Sequence, residues 1–453
     1  MEKNTRAVPF GGRTEMFVDD YLAERLENAR FEINRPERKE EVLRFEKKWE
    51  GRGSLACSVF RHEGQVYLYY RGYPDGADDA SEMQTACLAL SGDGKKFRRA
   101  AVDRIPYGAI RRNNIVWMGP EAHNFLPFYD DNPACPQDER FKAVAGTLAL
   151  GGLFAFCSAD GVRWRKMSEK PVITRGAFDS LNTAFYDARA GLYRCYSRYW
   201  LQGGFSGLRA IQSCVSENFL DWSDPAPNRY GGGDNTEHYY TNAAAPVPGA
   251  EHVLAMFPMR FVPDRKKVES HPSKGVSDAV FLTSRDGVNW SDPFKTAWIP
   301  PSLDERTWTQ RNFITASGIV ETGNSFSLYV EERYMWDDCA VVRYEVPAFR
   351  FGCVSADARG GFLLTGPLVP EAAGLTVNYA TSAAGALSAA ATNPEGEPLD
   401  GFGFEDCGEL YGNEIEKEIR WGGKSLDALR GRVIRLRFML RDARLYAAGS
   451  TGG

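Results

Sequence analysis

Ser158-Ala159-Asp160-Gly161-Val162-Arg163-Trp164 is one of four related segments that recur along this chain. The others are Ser91-Gly92-Asp93-Gly94-Lys95-Lys96-Phe97, Ser284-Arg285-Asp286-Gly287-Val288-Asn289-Trp290 and a divergent copy, Ser216-Glu217-Asn218-Phe219-Leu220-Asp221-Trp222. They begin at residues 91, 158, 216 and 284, so they are 58 to 68 residues apart. A repeat of this length indicates units that are stacked or arranged around an axis.

Each segment has the chemistry of a tight turn between two strands. Asp-Gly supplies a residue that accepts positive φ, and the aromatic residue three positions later can cover the apolar layer between neighbouring sheets. Aromatic and β-branched runs precede most copies, as strands prefer; examples are Val66–Tyr70, Leu153–Phe156, Leu192–Tyr196 and Ala279–Thr283. The first 345 residues, at about 65 residues per unit, therefore predict an all-β domain, a five-bladed β-propeller.

The pattern changes near residue 346, where the strand-like runs become longer. Gly361–Thr365, Leu375–Tyr379 and Val433–Leu440 are of this kind. Ala384–Ala391 has helical composition, but its position among strands favours a strand. We therefore predict two domains, a propeller over residues 1–345 and a C-terminal β-sandwich over residues 346–450.

Composition excludes several classes of protein. The 55 basic and 60 acidic residues give a net charge of −5, which argues against a nucleic-acid partner. No apolar run is long enough for a membrane helix, and the N-terminal residues lack the apolar core of a signal peptide. The nine cysteines include no Cys-x-x-Cys pair, which predicts reduced thiols and a cytoplasmic location. With five histidines and no metal-ligand spacing, we expect no metal and no cofactor.

Polar clusters occur about once per repeat, and most lie just before the aromatic strands. The key residues are Asp19, His123, Asp179, Glu237 and Arg311. Each has a structural alternative, because an aspartate can cap a turn, a histidine can be buried in the core and a glutamate can lie on the surface. In a radial fold, however, equivalent positions face one central funnel. Three carboxylates with amide and guanidinium donors would then meet there, as cleavage of a glycosidic bond requires.

Several segments spread over the whole chain carry a resemblance to known proteins; they are Phe17–Leu22, His123–Phe128, Phe178–Asn182, Tyr240–Ala243, Thr283–Trp290, Thr381–Gly385, and Gly401–Phe402 through Glu405–Cys407. In these segments the chain resembles bacterial proteins described as similar to glycoside hydrolase family 32. The resemblance implies a propeller followed by a sandwich. It also implies a nucleophile at Asp19 or Asp20, a transition-state stabiliser at Asp179 and an acid/base at Glu237. Alternation of side chains along a strand would let only one of the two aspartates face the funnel, and on that ground we favour Asp19. The residues next to each carboxylate differ from those of true fructosidases.

The resulting prediction is a glycoside hydrolase that acts on the ends of oligosaccharides. Glu237 would protonate the leaving oxygen, Asp19 would attack the anomeric carbon or activate water, and Asp179 would stabilise the transition state. The predicted substrate-binding residues are Asp20, Asn114, His123, Asn124, Asn182, Tyr240, Asn242, Arg260, Arg311 and Asn312.

Two other functions fit the same residues. In a glycoside phosphorylase, Arg198, Arg260 and Arg311 would bind phosphate; the same arginines would also suit a uronate or a sulfated sugar. A glycan-binding protein without catalysis is the second alternative. In every case the expected partner is a carbohydrate, with no nucleic acid and no membrane, and the oligomeric state stays open.

Overall fold

The computed structural model describes residues 7–78, 81–231, 233, 235–371 and 374–449 of the chain. The chain divides into two compact units. One contains Glu37–Trp290 and Ala297–Glu345; the other contains the described residues before Glu37, the short segment Ser291–Thr296 and the residues from Val346 onwards. The C-terminal unit thus includes residues that the sequence analysis placed in the propeller. The physical reason is strand pairing, since the strand Ala23–Glu27 pairs with Gly361–Thr365.

The unit from Glu37 to Glu345 is a five-bladed β-propeller, as predicted, and is called the propeller unit below. Blade 1 has strands Leu55–His62, Gln65–Gly72, Thr85–Ser91, Arg98–Arg99 and Ile115–Met118. Blade 2 has Leu126–Tyr129, Phe141–Thr147, Gly152–Ser158 and Arg165–Lys166, and blade 3 has Thr183–Asp187, Leu192–Trp200, Arg209–Ser216 and Ala226–Pro227.

Blade 4 is interrupted and consists of two sheets. One contains Arg229–Tyr230, Ala245–Val247, Ala250–Met256, Leu282–Ser284 and Asn289–Ser291, and the other contains His238–Tyr239, Met259–Val262 and Val276–Ala279. The predicted run Ala279–Thr283 is therefore split between two strands. Blade 5 has Ile314–Thr315, Val320–Thr322, Ser325–Glu332, Ala340–Pro347 and Glu37–Arg44.

Blade 5 joins the first and the last strand of the propeller unit. Its outermost strand, Glu37–Arg44, comes from the start of the unit and pairs antiparallel with Ala340–Pro347 from its end. The pairing leaves neither strand as an open edge along this contact. Ion pairs reinforce it, among them Arg343 Nε to Glu40 Oε1 at 2.9 Å.

The four recurring segments form the same turn. In the three Asp-Gly copies the serine Oγ accepts a hydrogen bond from the glycine N–H, and the aspartate Oδ1 accepts two backbone N–H groups. The divergent copy reproduces these bonds with Ser216 and Asn218. Phe219 adopts φ of 68° at the glycine position. Its ring packs in the interior of the propeller unit, which offsets the cost of this backbone conformation.

The turns also connect neighbouring blades. The hydroxyl of Tyr69 in blade 1 donates to the carbonyl of Gly161 in blade 2 at 2.7 Å. Tyr196 of blade 3 donates to Gly287, and Tyr329 of blade 5 donates to Gly94. The repeated glycine thus serves both as the turn residue and as the docking point for the preceding blade.

The other unit is the β-sandwich and is called the sandwich unit below. Its strands are Val8–Phe10, Thr14–Met16, Ala23–Glu27, Arg30–Ile33, Gly352–Ala356, Gly361–Thr365, Leu368–Pro370, Leu375–Thr392, Asn413–Ile419 and Arg435–Gly449. The two longest, Leu375–Thr392 and Arg435–Gly449, pair along most of their length with a register shift between Thr381 and Ala386. The alanine-rich segment Ala384–Ala391 lies in the first of them, so it is strand, as predicted.

Helix is rare in the described residues. The one α-helix there is Phe404–Cys407, and the 3-10 turns are Pro120–Ala122, Gln137–Glu139, Leu148–Leu150, Glu305–Thr307 and Leu426–Leu429. No helix in the described ranges is long and apolar enough to cross a membrane. All nine cysteines are free thiols, and eight of them are buried.

Candidate functional site

The inner edges of the five blades meet around the axis of the propeller unit. Their apolar side chains form one cluster, with Leu55 and Cys57 from blade 1, Leu126 from blade 2, Leu181 from the approach to blade 3, Met259 and Phe261 from blade 4, and Ile314 from blade 5. A pocket lies against this cluster, where the chain enters the blades, and is called the funnel pocket below. It is lined by Leu55, Arg71, Asn124, Asp179, Ser180, Leu181, Tyr240, Thr241, Arg311, Ile314 and Tyr334, and holds about 300 Å³ of empty space including its mouth.

Asp179 is the carboxylate that lines this pocket. Its side chain is 29% exposed, and it forms an ion pair with the guanidinium of Arg198, which is almost fully buried. Arg198 Nε donates to Asp179 Oδ1 at 3.1 Å. The guanidinium also lies 4.4 Å from the ring centroid of Tyr240. Asp179 is therefore a fixed negative charge with one open side, suited to binding hydroxyl groups or facing a developing positive charge.

Four guanidinium groups surround this one carboxylate. Besides Arg198, Arg71 and Arg311 line the pocket, and Arg209 lies 5.0 Å from the ring of Tyr240. Burial lowers the pKa of Arg209, and the charges of Arg198 and Arg311 lower it further. Burial acts to raise the pKa of Tyr240, but Arg311 and Arg198 bring it below its usual value. The positive charges of Arg198 and Arg311 thus lower the pKa of both groups.

Sequence reasoning missed Arg209 and also a member of this group that lines the pocket, Arg71. It is 5% exposed, donates to Asn124 Oδ1 at 2.9 Å and donates to the Gly53 carbonyl at 2.8 Å. The repeats contain a signal for Arg71. Tyr69 and Tyr196 are equivalent, because each donates to the repeated glycine of the next blade. Arg71 and Arg198 each follow that tyrosine by two positions. In blade 5 the same position after Tyr329 is Glu331, a buried carboxyl group.

The asparagine side chains that precede the strands donate hydrogen bonds to backbone carbonyl groups. Asn124 Nδ2 donates to the Ser180 carbonyl, Asn182 Nδ2 to Phe178, and Asn242 Nδ2 to Leu181. Asn312 Nδ2 donates to Thr309 and Arg306. Of these four predicted sugar-binding amides, only Asn124 lines the funnel pocket.

Asn114 and His123 are buried and lie outside the lining of the funnel pocket. Asn114 accepts a hydrogen bond from Trp49 Nε1 and donates to Tyr70 and to the Leu88 carbonyl. His123 Nδ1 lies 2.9 Å from Gln84 Oε1. Burial, aided by the charge of Arg71, holds the pKa of His123 well below its usual value, so its ring is neutral near pH 7.

Glu237 and Arg260 form a pair beside the pocket lining rather than in it. Arg260 Nη1 donates to Glu237 Oε1 at 3.0 Å, and Arg260 also binds Asp278 through two hydrogen bonds. The Glu237 side chain is 41% exposed. Neither residue is among those that line the pocket with Asp179.

Asp19 and Asp20 belong to the sandwich unit. The sequence argument chose Asp19 by alternation along a strand, but the strand there is Thr14–Met16 and both aspartates follow it in a bend. Asp19 is buried and its Oδ1 accepts a hydrogen bond from the Tyr21 N–H at 3.1 Å, whereas Asp20 is exposed. This hydrogen bond supports the bend, and the role of Asp19 as nucleophile or base stays a prediction.

A larger pocket also touches the first strands of the blades. It is mostly apolar, with Val59, Pro127, Phe185, Pro246 and Ile319 in its lining and about 1250 Å³ of empty space that includes open solvent. It contains none of the predicted site residues. Its lining also includes charged side chains, among them Arg61, Asp131 and Glu251. The funnel pocket is the better candidate because it brings Asp179 together with other predicted site residues. The described residues contain no group of three or more His, Cys, Asp or Glu placed to hold a metal ion.

No protein-family model and no curated protein matches this sequence. Several solved structures are similar. One is a glycoside hydrolase, 12% identical, with a TM-score of 0.47 over 69% of this chain and 92% of that chain. An N-acetylgalactosamine deacetylase from F. plautii is 12% identical, with a TM-score of 0.44 over 70% and 96% of the two chains. A thermostable family-43 glycoside hydrolase is also 12% identical, with a TM-score of 0.43 over 65% and 91%. At these values the likeness carries no information about substrate or activity.

Proposed function

We propose that the propeller unit is a glycosidase that hydrolyses a glycosidic bond of a carbohydrate bound in the funnel pocket. The observation that carries the proposal is the placement of Asp179. Its carboxylate lies among Tyr240, Asn124 and Tyr334, residues that come from different blades. Asp179 supplies one of the carboxylates that glycoside cleavage requires, and Glu237 and Asp19 are the predicted sources of the others. Cleavage at the end of an oligosaccharide stays a prediction.

In this proposal Asp179 stabilises the positive charge that develops at the anomeric carbon. Its ion pair with Arg198 supports this role, because the buried guanidinium fixes the carboxylate in position. The acid/base role of Glu237 and the nucleophile or base role of Asp19 stay predictions. The choice between a retaining and an inverting reaction stays open with them.

The test is turnover of a panel of aryl glycosides and oligosaccharides by the parent and by Asp179→Asn. Removing the charge while keeping the shape is expected to lower kcat/KM by about 100- to 10,000-fold. Asp224→Asn is the matched control, because Asp224 is an exposed aspartate in the same region of the chain. Glu237→Gln and Asp19→Asn test the two remaining roles in the same assay. Equal turnover by the parent and by Asp179→Asn would refute the proposal.

The excess of guanidinium groups favours a second candidate, a glycoside phosphorylase. Arg71, Arg198 and Arg311 would then hold inorganic phosphate beside the sugar. Turnover that depends on added phosphate, with a sugar phosphate as product, would establish this reaction in place of hydrolysis. Sugar binding by the parent without turnover in either assay would instead identify a glycan-binding protein.

A further inference from the structure

We propose that a second pocket of the propeller unit binds a small organic cation, with its apolar body inside the pocket and its ammonium group beside Asp131 and Glu251. This is the mostly apolar pocket at the first strands of the blades, and it is called the axial pocket below. No residue lines both the axial pocket and the funnel pocket. The inference therefore goes beyond the proposed function and does not depend on it.

The axial pocket and the funnel pocket lie at opposite ends of the first strands. Leu55, which begins the strand Leu55–His62, lines the funnel pocket, whereas Val59 of the same strand lines the axial pocket. In blade 3, Leu181 lines the funnel pocket and Phe185 the axial pocket. Residues of a strand that are four positions apart are separated by about 13 Å. A ligand in the axial pocket therefore leaves the funnel pocket open.

All five blades contribute apolar side chains to the axial pocket. Val59, Pro127, Phe185, Pro246 and Ile319 come from blades 1 to 5 in that order. The cavity volume is about 400 Å³. A concave, mostly apolar pocket of this size is typical of sites that bind small molecules. The lining thus favours a ligand with a compact apolar or aromatic body.

Aromatic side chains give the lining a second property. Tyr129 and Tyr186, from neighbouring blades, are half-buried and line the pocket together with Phe60, Phe128 and Phe185. The face of an aromatic ring attracts a cation as well as an apolar group. Both parts of an organic cation therefore have a chemical counterpart in the pocket.

The charged residues of the lining have an excess of negative charge. They are the carboxylates of Asp131, Glu251 and Glu321 and the guanidinium of Arg61. Arg61 donates its hydrogen bonds to three backbone carbonyl groups. Within the described ranges, no ion pair joins any of the three carboxylates to a basic side chain. A positively charged ligand would reduce this excess.

Asp131 and Glu251 are close enough to influence each other. Burial raises the pKa of Asp131, and the negative charges of Asp130 and Glu251 raise it further, while Arg140 opposes them. Asp130 forms an ion pair with Lys142, but Glu251 has no such partner among the described residues. An ammonium group beside Asp131 and Glu251 would favour the charged form of both, and an anion there would be repelled.

The experiment is isothermal titration calorimetry of the full chain with three probes that share one apolar body. They are phenylbutylammonium, phenylbutanol and phenylbutyrate, which are positive, neutral and negative. We expect the ammonium probe to bind about 5- to 10-fold more tightly than the alcohol, because exposed carboxylates contribute modestly to binding a cation. The negative probe should bind most weakly.

The double variant Asp131→Asn, Glu251→Gln tests the charged end of the site. Its affinity for the ammonium probe should fall to within about 2-fold of its affinity for the alcohol, and its affinity for the alcohol should not change. Glu217→Gln with Asp224→Asn is the matched control, because both residues are exposed carboxylates of the propeller unit outside the pocket lining. The control should keep the preference for the ammonium probe.

Ala245→Phe tests the apolar end, because Ala245 lines the pocket and a phenyl ring there would occupy its space. All three probes should then bind at least about 10-fold more weakly. Circular dichroism checks that each variant is folded, and Pro246→Phe replaces Ala245→Phe if that variant does not fold.

Three outcomes would overturn the inference. The first is equal affinity for the ammonium probe and the alcohol, or no binding of the ammonium probe. The second is binding that Ala245→Phe leaves unchanged, which would locate the ligand elsewhere. The third is self-association of the parent without probe binding, measured by analytical ultracentrifugation and abolished by Ala245→Phe. That result would assign the axial pocket to a second copy of this chain.

Discussion

At the scale of single residues, Glu331 is the clearest case of a side chain whose charge state depends on its surroundings. It is fully buried, its Oε1 lies 3.7 Å from the Cys339 thiol, and its Oε2 has no hydrogen-bond partner in the described ranges. An ionised carboxylate at such a position is strongly disfavoured. The nearest compensating charges, Arg71 and Arg311, do not bring the pKa back to its usual range.

This state predicts a particular dependence of stability on pH. Because the folded protein keeps a proton that the unfolded chain releases above about pH 4.3, stability falls as pH rises, by about 1.4 kcal/mol per pH unit until the folded pKa is reached. Glu331→Gln has no carboxyl group to keep protonated. Its free energy of unfolding minus that of the parent should therefore rise with pH by about 1.4 kcal/mol per pH unit. Denaturant unfolding between pH 5 and pH 7 measures the difference. Glu63→Gln, at an exposed glutamate, is the control, and a difference that does not change with pH would contradict the prediction.

At the scale of elements, the recurring turn shows how one glycine can be needed for two reasons. Gly161 has φ of 69°, and a Cβ atom built there would lie 2.6 Å from the Tyr69 hydroxyl and 2.9 Å from the Phe141 ring. Gly64 has a similar φ of 76°, but nothing lies within 4 Å of a Cβ there. The two positions share the backbone cost and differ in packing.

We therefore expect Gly161→Ala to be the more destabilising of the two substitutions. Gly64→Ala should cost about 1–2 kcal/mol of stability from the backbone alone. Gly161→Ala adds the displacement of Tyr69 and Phe141, about 1–3 kcal/mol more. Thermal and denaturant unfolding of both variants makes the comparison. Equal losses would mean that the contact between blades 1 and 2 adapts without cost.

The element scale also shows where sequence patterns succeeded and where they failed. The Ser-x-Asp-Gly pattern predicted the turns and the blade count, because these depend on local chemistry. Alignment of the divergent copy with the others puts Phe219 at the glycine position of the turn, where it has positive φ. The residue preferences of phenylalanine alone would not have suggested this conformation. Alternation failed at Asp19, because that residue follows a strand of only three residues and lies in a bend.

At the scale of the whole molecule, closure of the propeller depends on a strand that is remote in sequence from its partner. Leu43, in Glu37–Arg44, pairs with Val341 and packs in the apolar interior of the propeller unit. Blade 5 is incomplete until both ends of the unit are in place. A loss of packing in this strand should therefore weaken the whole unit and not only its edge.

Leu43→Ala tests this role. Removing a buried leucine side chain should lower the free energy of unfolding by about 2–5 kcal/mol. Leu303→Ala is the matched control, because Leu303 is fully exposed and its truncation should have almost no effect. Hydrogen exchange of amides in blade 1 provides the second measurement, since Ser58 of blade 1 forms a bridge with Ser317 of blade 5. Faster exchange confined to the edge strand would contradict a closure role.

The sequence by itself determined the all-β class, the five-bladed propeller, the sandwich and the turns that separate the blades. These follow from strand preference, turn chemistry and a repeat length that can be read along the chain. It also singled out Asp179, Asn124, Tyr240 and Arg311, all of which line the funnel pocket. Their position at the entry to a blade was enough to select them.

Tertiary structure decided the rest. Strand pairing groups the residues before Glu37 with the C-terminal part of the chain, because backbone hydrogen bonds form between any two strands and leave no mark in either sequence. The funnel pocket likewise gains Arg71 and Tyr334 only when distant blades meet around the axis. Its positive charge is a sum over residues hundreds of positions apart, and burial determines how much of that charge a ligand meets.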